Sequence, residues 1–192
     1  MLTSVITVCV LTSTATFATQ SPNWSYAEIG YIKGSVSSLE QADFTGIHLE
    51  GSVSFHENFF AFGRYRDISD SFNRVDVEAN LLNLGLGYRH GINDKTDFFT
   101  TASFASISTK VSYLSEHESN DNNGYELSLG VRSMLTDSFE FMTAISYEKI
   151  EGNDTSFKFA GFYHFTENIS AGVNFQLSTD VQYLTFSARY SF

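Results

Sequence analysis

Residues 155–192 alternate between apolar and polar side chains with a period of two, and the last residue is still in step. Two short polar turns divide the stretch into three runs. In the first, Phe157, Phe159, Gly161, Tyr163 and Phe165 share one parity, and Ser156, Lys158, Ala160, Phe162 and His164 share the other. In the second, Ile169, Ala171, Val173, Phe175 and Leu177 oppose Ser170, Gly172, Asn174, Gln176 and Ser178. In the third, Leu184, Phe186, Ala188, Tyr190 and Phe192 oppose Tyr183, Thr185, Ser187, Arg189 and Ser191. Successive side chains of a strand point to opposite faces, so each run has one oily face and one polar face. A chain built from such runs folds as a sheet that must hide or immerse its oily side.

The same periodicity extends upstream. Runs at 24–34, 44–55, 59–66, 77–89, 97–109, 125–135 and 139–149 precede these three, so ten strands are expected, or eight if the irregular fifth run and the short final loops are misread. Aromatics make up 16% of the chain, with 19 Phe and 10 Tyr, yet no segment beyond the N-terminus holds the roughly 18 consecutive apolar residues of a membrane helix. Aromatic richness with period-two alternation points to an antiparallel up-and-down transmembrane β-barrel. The only proline, Pro22, precedes the first run, where it removes no ladder donor.

Connection lengths alternate too. The links at 55–59, 135–139 and 165–169 are tight, and that at 91–96 is slightly longer. In the first three, an outer-parity apolar residue stands on each side, four positions apart. The links at 35–43, 67–76, 110–123, 151–154 and 178–180 are longer or more polar. Short turns at one end and long loops at the other are the pattern of an outer-membrane barrel, with the N-terminus and short turns periplasmic and the long loops extracellular.

A soluble sandwich would put the aromatic face inside. The polar-face inventory argues for the reverse. It holds Glu28, His48, Glu50, Arg64, Arg66, Arg89, Glu126, Arg132, Glu148, Lys158 and Arg189, mixed with Gly30, Gly85, Gly87, Gly130 and Gly172. Glycine weakens a solvated strand, but a narrow barrel interior needs it to make room for long neighbours. These residues are therefore expected to form an ion-paired lumen. Phe55, Phe59, Tyr88, Phe98, Phe139, Phe165 and Phe192 fall near one end, and Tyr31, Tyr65, Tyr125, Tyr147 and Phe157 near the other. They read as two interfacial girdles.

Residues 1–18 read as a secretory signal peptide ending at Thr16-Phe17-Ala18, although no Lys or Arg precedes the apolar stretch. Residues 19–192 are then the barrel domain. The one cysteine, Cys9, lies in that leader, so no disulfide or catalytic thiol is expected in the rest. The net charge of -11 argues against nucleic-acid binding.

Little here points to chemistry. His48 and Glu50 share the inner parity, and the pair reads as a lumen hydrogen-bond network rather than a metal site or base. His117, among Glu116, Glu118 and Ser119, lies in the longest link, which reads as a solvated loop. His56, His90 and His164 lie near the tight turns. Gly85-x-Gly87 has no helix after it and is not a phosphate cradle. No catalytic residue, metal ligand or cofactor is expected. Asp67, Asp70, Glu116, Glu118 and Asp121 offer sites for divalent cations on lipopolysaccharide phosphates, although solvation alone accounts for them.

Four stretches carry a family resemblance: Phe62-Gly-Arg-Tyr, the run from Leu84 to Asp97, the run from Gly124 to Ser133, and Ala188-Arg-Tyr-Ser-Phe. With these the chain resembles the small outer-membrane β-barrel domain proteins of Gram-negative bacteria. The resemblance implies that Tyr190 and Phe192 form a signal read by the barrel-assembly machinery. It also implies periplasmic chaperones, outer-membrane lipid and lipopolysaccharide as partners, and it brings no catalytic residues. The expected role is structural or surface-interacting, with a narrow passive pore as the alternative and a surface lipid-modifying enzyme as a third.

Overall fold

The computed structural model describes residues 21–36, 43–72, 75–113, 116–179 and 181–192. Residues 1–18, expected to be a signal peptide, and with them Cys9 lie outside this set. Ten strands follow one another: β1 (Tyr26–Val36), β2 (Asp43–Ser54), β3 (Phe59–Phe72), β4 (Val75–Asn93), β5 (Thr96–Tyr113), β6 (Glu116–Met134), β7 (Phe139–Lys149), β8 (Asn153–His164), β9 (Ile169–Leu177) and β10 (Val181–Ser191). Each pairs antiparallel with its sequence neighbours, and β1 pairs with β10, so the sheet closes into a barrel. The closing seam runs from Tyr26 opposite Ser191 to Val36 opposite Val181.

Local chemistry shapes the tight-turn end. The Thr136 hydroxyl accepts from the Phe139 amide at 3.0 Å, and that of Thr166 from the Ile169 amide at 3.0 Å. Each hydroxyl replaces a backbone acceptor in a short turn. Asn58 and Asn168 then reach sideways, donating to the carbonyls of Arg89 and Ser191 at 3.0 and 2.7 Å. The turns are thereby tied to the adjacent strand as well as to their own hairpin.

Two expectations need correction. The links at 67–76 and 110–123 are largely strand, not loop, because β3, β4, β5 and β6 run on to Phe72, Val75, Tyr113 and Glu116. Lys110 stands opposite Ser119 and Asp70 opposite Val77 in unbroken ladders. Alternation fades there because neither face of these arms is immersed in apolar surroundings. Backbone pairing does not need it, and polar side chains bond across the arm, as Ser108 does to Asp121 at 2.5 Å. Similarly, the link at 91–96 shrinks to Asp94 and Lys95, with a register shift between Gly91 and Asn93. Trp24, expected to open the first strand, precedes β1 and is buried inside the barrel.

The two faces differ sharply. Leu129 is 52% exposed and looks outward with Leu84, Leu86, Leu127 and Val173, whereas Arg132 is 2% exposed and looks inward. Outward aromatics, among them Phe55, Phe139, Phe165 and Phe192, ring the tight-turn end. Inside, that end is also aromatic: Trp24, Phe60, Phe62, Phe99 and Ala144 pack together, with Met142 against them. The Trp24 and Phe60 ring centroids are 4.5 Å apart, and Trp24 meets Phe99 edge-on at 5.2 Å.

Inward glycines seat these rings. A Cβ on Gly130 would lie 2.7 Å from the Phe99 ring and 2.8 Å from the Ala144 Cβ. Gly130→Val is therefore expected to destabilise the barrel by about 1–3 kcal/mol through overpacking. Gly51, whose added Cβ would find its nearest atom at 4.0 Å, should accept Ala within about 0.5 kcal/mol. Urea titrations of the protein refolded into lipid vesicles measure both.

Candidate functional site: the charged lumen

Above the aromatic cluster the interior is a ladder of ion pairs. At its foot, Asp97 accepts from the Trp24 indole at 2.7 Å and from Arg89 at 3.2 Å, while the Arg89 Nε donates to the Glu57 carbonyl at 2.8 Å. The Arg132 guanidinium sits 4.9 Å from the Trp24 ring centroid. It grips Glu140 in a two-pronged pair at 2.8 and 2.9 Å. Arg189 reaches Glu140 at 3.0 Å and Glu28 at 2.8 and 2.9 Å. Its planar head lies between the rings of Tyr26 at 4.2 Å and Phe162 at 3.7 Å. A flat, weakly hydrated guanidinium suits such a slot, which an ammonium would not fill.

Further along, Arg64 donates to Glu50 at 2.7 Å and approaches Glu126 at 3.5 Å, and the Tyr26 hydroxyl donates to Glu50 at 2.7 Å. His48 lies 3.6 Å from Glu28 and 3.9 Å from Glu50, linking the two sets. Glu148, Lys158 and Arg66 stand nearer the long-hairpin end. Among the described residues none of the three has an ion partner within 4.0 Å.

All eleven inner-parity residues named from the sequence therefore lie on the inward side; seven of them share ion pairs (Glu28, Glu50, Arg64, Arg89, Glu126, Arg132 and Arg189), and His48 approaches Glu28 and Glu50. Sequence reasoning missed Glu140, Asp97, His164 and Trp24. Glu140 and His164 carry the inner parity of their runs but sit next to tight turns, where acids and imidazoles usually face water. His164 lies 3.3 Å from Glu140. With Asp97 and Glu140 added, six acids (Glu28, Glu50, Asp97, Glu126, Glu140 and Glu148) face six bases (Arg64, Arg66, Arg89, Arg132, Lys158 and Arg189). Enclosed charges require such balance, because an unpaired one would cost several kcal/mol in lost hydration.

Space between these groups is scarce. A cavity of ≈ 50 Å³ lies among Trp24, Tyr26, Phe60, Phe99, Glu126 and Arg132, and one of ≈ 20 Å³ among His48, Arg66, Lys158, Gln176, Tyr183 and Thr185. These hold a few waters and one water respectively. His48 and Glu50 do approach each other, but both carboxylates near the imidazole are held by arginines. Among the described residues, no three or more His, Cys, Asp or Glu side chains are grouped to hold a metal. His117 lies on β6, and its side chain is outside the described set, as are those of Glu116 and Glu118.

A closed antiparallel barrel, apolar outside and charged inside, satisfies every requirement of a sheet that crosses a bilayer. It defines a transmembrane β-barrel protein. The family model for the outer membrane protein beta-barrel domain matches residues 4–192, and the chain belongs to that family as an integral protein of the bacterial outer membrane. No curated protein matches it. Among solved structures it is similar to Ail, the attachment invasion locus protein of Yersinia pestis, in complex with the heparin analogue sucrose octasulfate. The identity is 14%, the TM-score 0.52, and the match covers 88% of this chain and 97% of that one. It is also similar to the translocator domain of autotransporter NalP from Neisseria meningitidis, at 11% identity and a TM-score of 0.50, with 88% of each chain covered. At such identities the likeness is one of fold.

Glu140 serves two arginines at once. Glu140→Gln should destabilise the barrel by about 3–5 kcal/mol, since it leaves buried guanidinium charge uncompensated. Asp137→Asn, which removes the half-exposed partner of Lys95 at 3.6 Å, should cost under about 1 kcal/mol. Urea unfolding in vesicles compares the two, and equal losses would contradict the assigned roles.

Proposed function

We propose that the protein is a sealed, non-enzymatic scaffold of the outer membrane whose work is done by the strand arms at its long-hairpin end. The observation that carries this reading is the lumen itself. Its ion pairs run across the interior from Asp97 to Glu126, and the cavities among these described residues have free volumes of ≈ 20 and ≈ 50 Å³. Ionisable groups engaged in this way stiffen the wall rather than await a substrate.

Strand length supports an orientation. About 9–11 residues cross the hydrocarbon layer, whereas β4 and β6 have 19 each and β5 has 18. Because the turns at the other end are tight, the surplus projects from one side only. We place that side outside the cell and the N-terminus in the periplasm. The projecting arms carry Ser108, Asn120, Asp121 and Asn122, and Glu151 accepts hydrogen bonds from both asparagines. Such a surface suits the polar heads of lipopolysaccharide, with Asp67, Asp70 and Asp121, beside Glu116 and Glu118, as places for bridging divalent cations. Periplasmic chaperones would carry the unfolded chain to the assembly machinery. Tyr190 and Phe192, both outward and exposed at the closing strand, would serve as the mark that machinery reads.

A narrow passive pore is the second reading, favoured by Arg66 and Lys158, which line the lumen with no carboxylate within 4.0 Å among the described residues. Planar-bilayer recordings separate the two. The sealed barrel should give no steady single-channel steps, and reproducible steps from the wild-type protein would establish the pore instead. Deletion of Phe192 should lower the amount in the outer membrane while export across the inner membrane continues. Undiminished outer-membrane levels would remove the assembly role.

A further inference from the structure

Four strands lie between β3 and β8 in either direction around the barrel, so Arg66 and Lys158 stand on opposite walls of the lumen. Both line the same ≈ 20 Å³ cavity, together with His48, Gln176, Tyr183 and Thr185. Arg66 is 6% exposed, and its Nε has no hydrogen-bond partner. Its guanidinium lies 5.5 Å from the Tyr183 ring centroid, which holds the head group in place. Arg64, Arg89, Arg132 and Arg189 each have a carboxylate within 4.0 Å, whereas among the described residues Arg66 and Lys158 have none. The carboxylates that share this cavity are already held, Glu28 by Arg189 and Glu50 by Arg64 and Tyr26.

We infer that a monatomic anion of the halide class occupies this cavity, bridging Arg66 and Lys158. Two cations facing one enclosed space repel each other, and each loses hydration on burial. A water there would satisfy the Arg66 donor but place no negative charge in contact with either cation, since among the described residues Glu148, the remaining carboxylate without an ion partner at this height, stands beyond 4.0 Å of both. An anion does both. Cavity size sets the chemical class, since ≈ 20 Å³ admits a single water-sized occupant and excludes phosphate, sulfate and sugar carboxylates. The inference stands apart from the scaffold reading, because a halide can sit in a sealed lumen or in a conducting one.

Thermal unfolding of the full barrel in detergent, in sodium chloride or in sodium gluconate at equal ionic strength, tests the site. Chloride should raise the midpoint saturably and gluconate should not. Arg66→Gln and Lys158→Gln should each weaken the apparent halide affinity about tenfold or more, and Arg66→Lys, which keeps the charge, should retain most of it. Crystals soaked in bromide give a readout that needs no variant to fold. An anomalous peak is expected between Arg66 and Lys158. Equal midpoints in the two salts, or a bromide-soaked lumen with no peak at that position, would overturn the assignment.

Discussion

The pairing of β1 with β10 is the contact on which the rest depends. Hydrocarbon offers no hydrogen-bond partners, so each backbone amide and carbonyl in the bilayer must be satisfied within the protein. An open ten-stranded sheet would expose two bare edges. Closure removes them, and the registers along β1 set where every other strand stands in height. The N-terminal segment completes the seam: the Phe192 amide donates to the Ser25 carbonyl at 3.0 Å, and the Ser52 hydroxyl to the Trp24 carbonyl at 2.7 Å. Trp24 is thereby carried into the barrel mouth, where its indole meets Asp97.

Closure also creates the electrostatic problem that the lumen solves. Period-two geometry places every second side chain inside a narrow tube, and those side chains cannot all be apolar when the outward face already is. The interior divides the task by height. Near the tight turns, rings fill volume over glycines, and arginine heads approach them, Arg132 at 4.9 Å from the Trp24 centroid and Arg189 at 3.7 Å from that of Phe162. Farther up, carboxylates and guanidiniums alternate across the axis, so that Glu28 and Glu50 each answer a charge from another strand. Planar guanidinium heads can stack on rings and bond carboxylates at the same time, which explains why five of the six inward bases are arginines.

Much of this was legible in the sequence because parity is a hard geometric rule. Once an outward residue such as Leu129 is identified, Ser128 and Gly130 must face in. Closure and the inward placement of Arg132 or Arg189 follow from that rule together with tight turns that preserve parity. Residue type taken alone is blind where it conflicts with parity. Phe60, Phe99 and Phe162 are inward by position but lipid-facing by type, and only the space above Gly87, Gly130 and Gly172 makes their inward setting possible. Strand length was the other blind spot. Alternation reports contact with an apolar medium, so it vanished at 67–76 and 110–123, although the ladder continued.

That blind spot has a physical meaning. A strand segment loses its two-residue rhythm where both of its faces meet water, so the points at which alternation fades along β3 to β6 mark the level at which the wall leaves the apolar layer. Beyond it the ladder is held by backbone pairing and by polar cross-links such as Ser108 to Asp121. Neighbouring β7, β8, β9 and β10 have 11, 12, 9 and 11 residues and stop near that level. The protruding part of the barrel is therefore one-sided: a four-stranded blade rising above a short rim. Exposed strand edges are tolerated there because they carry polar side chains, and Glu151 covers part of the β6 edge through Asn120 and Asn122. Below that level every strand of the barrel is paired on both sides, which gives the blade a closed base.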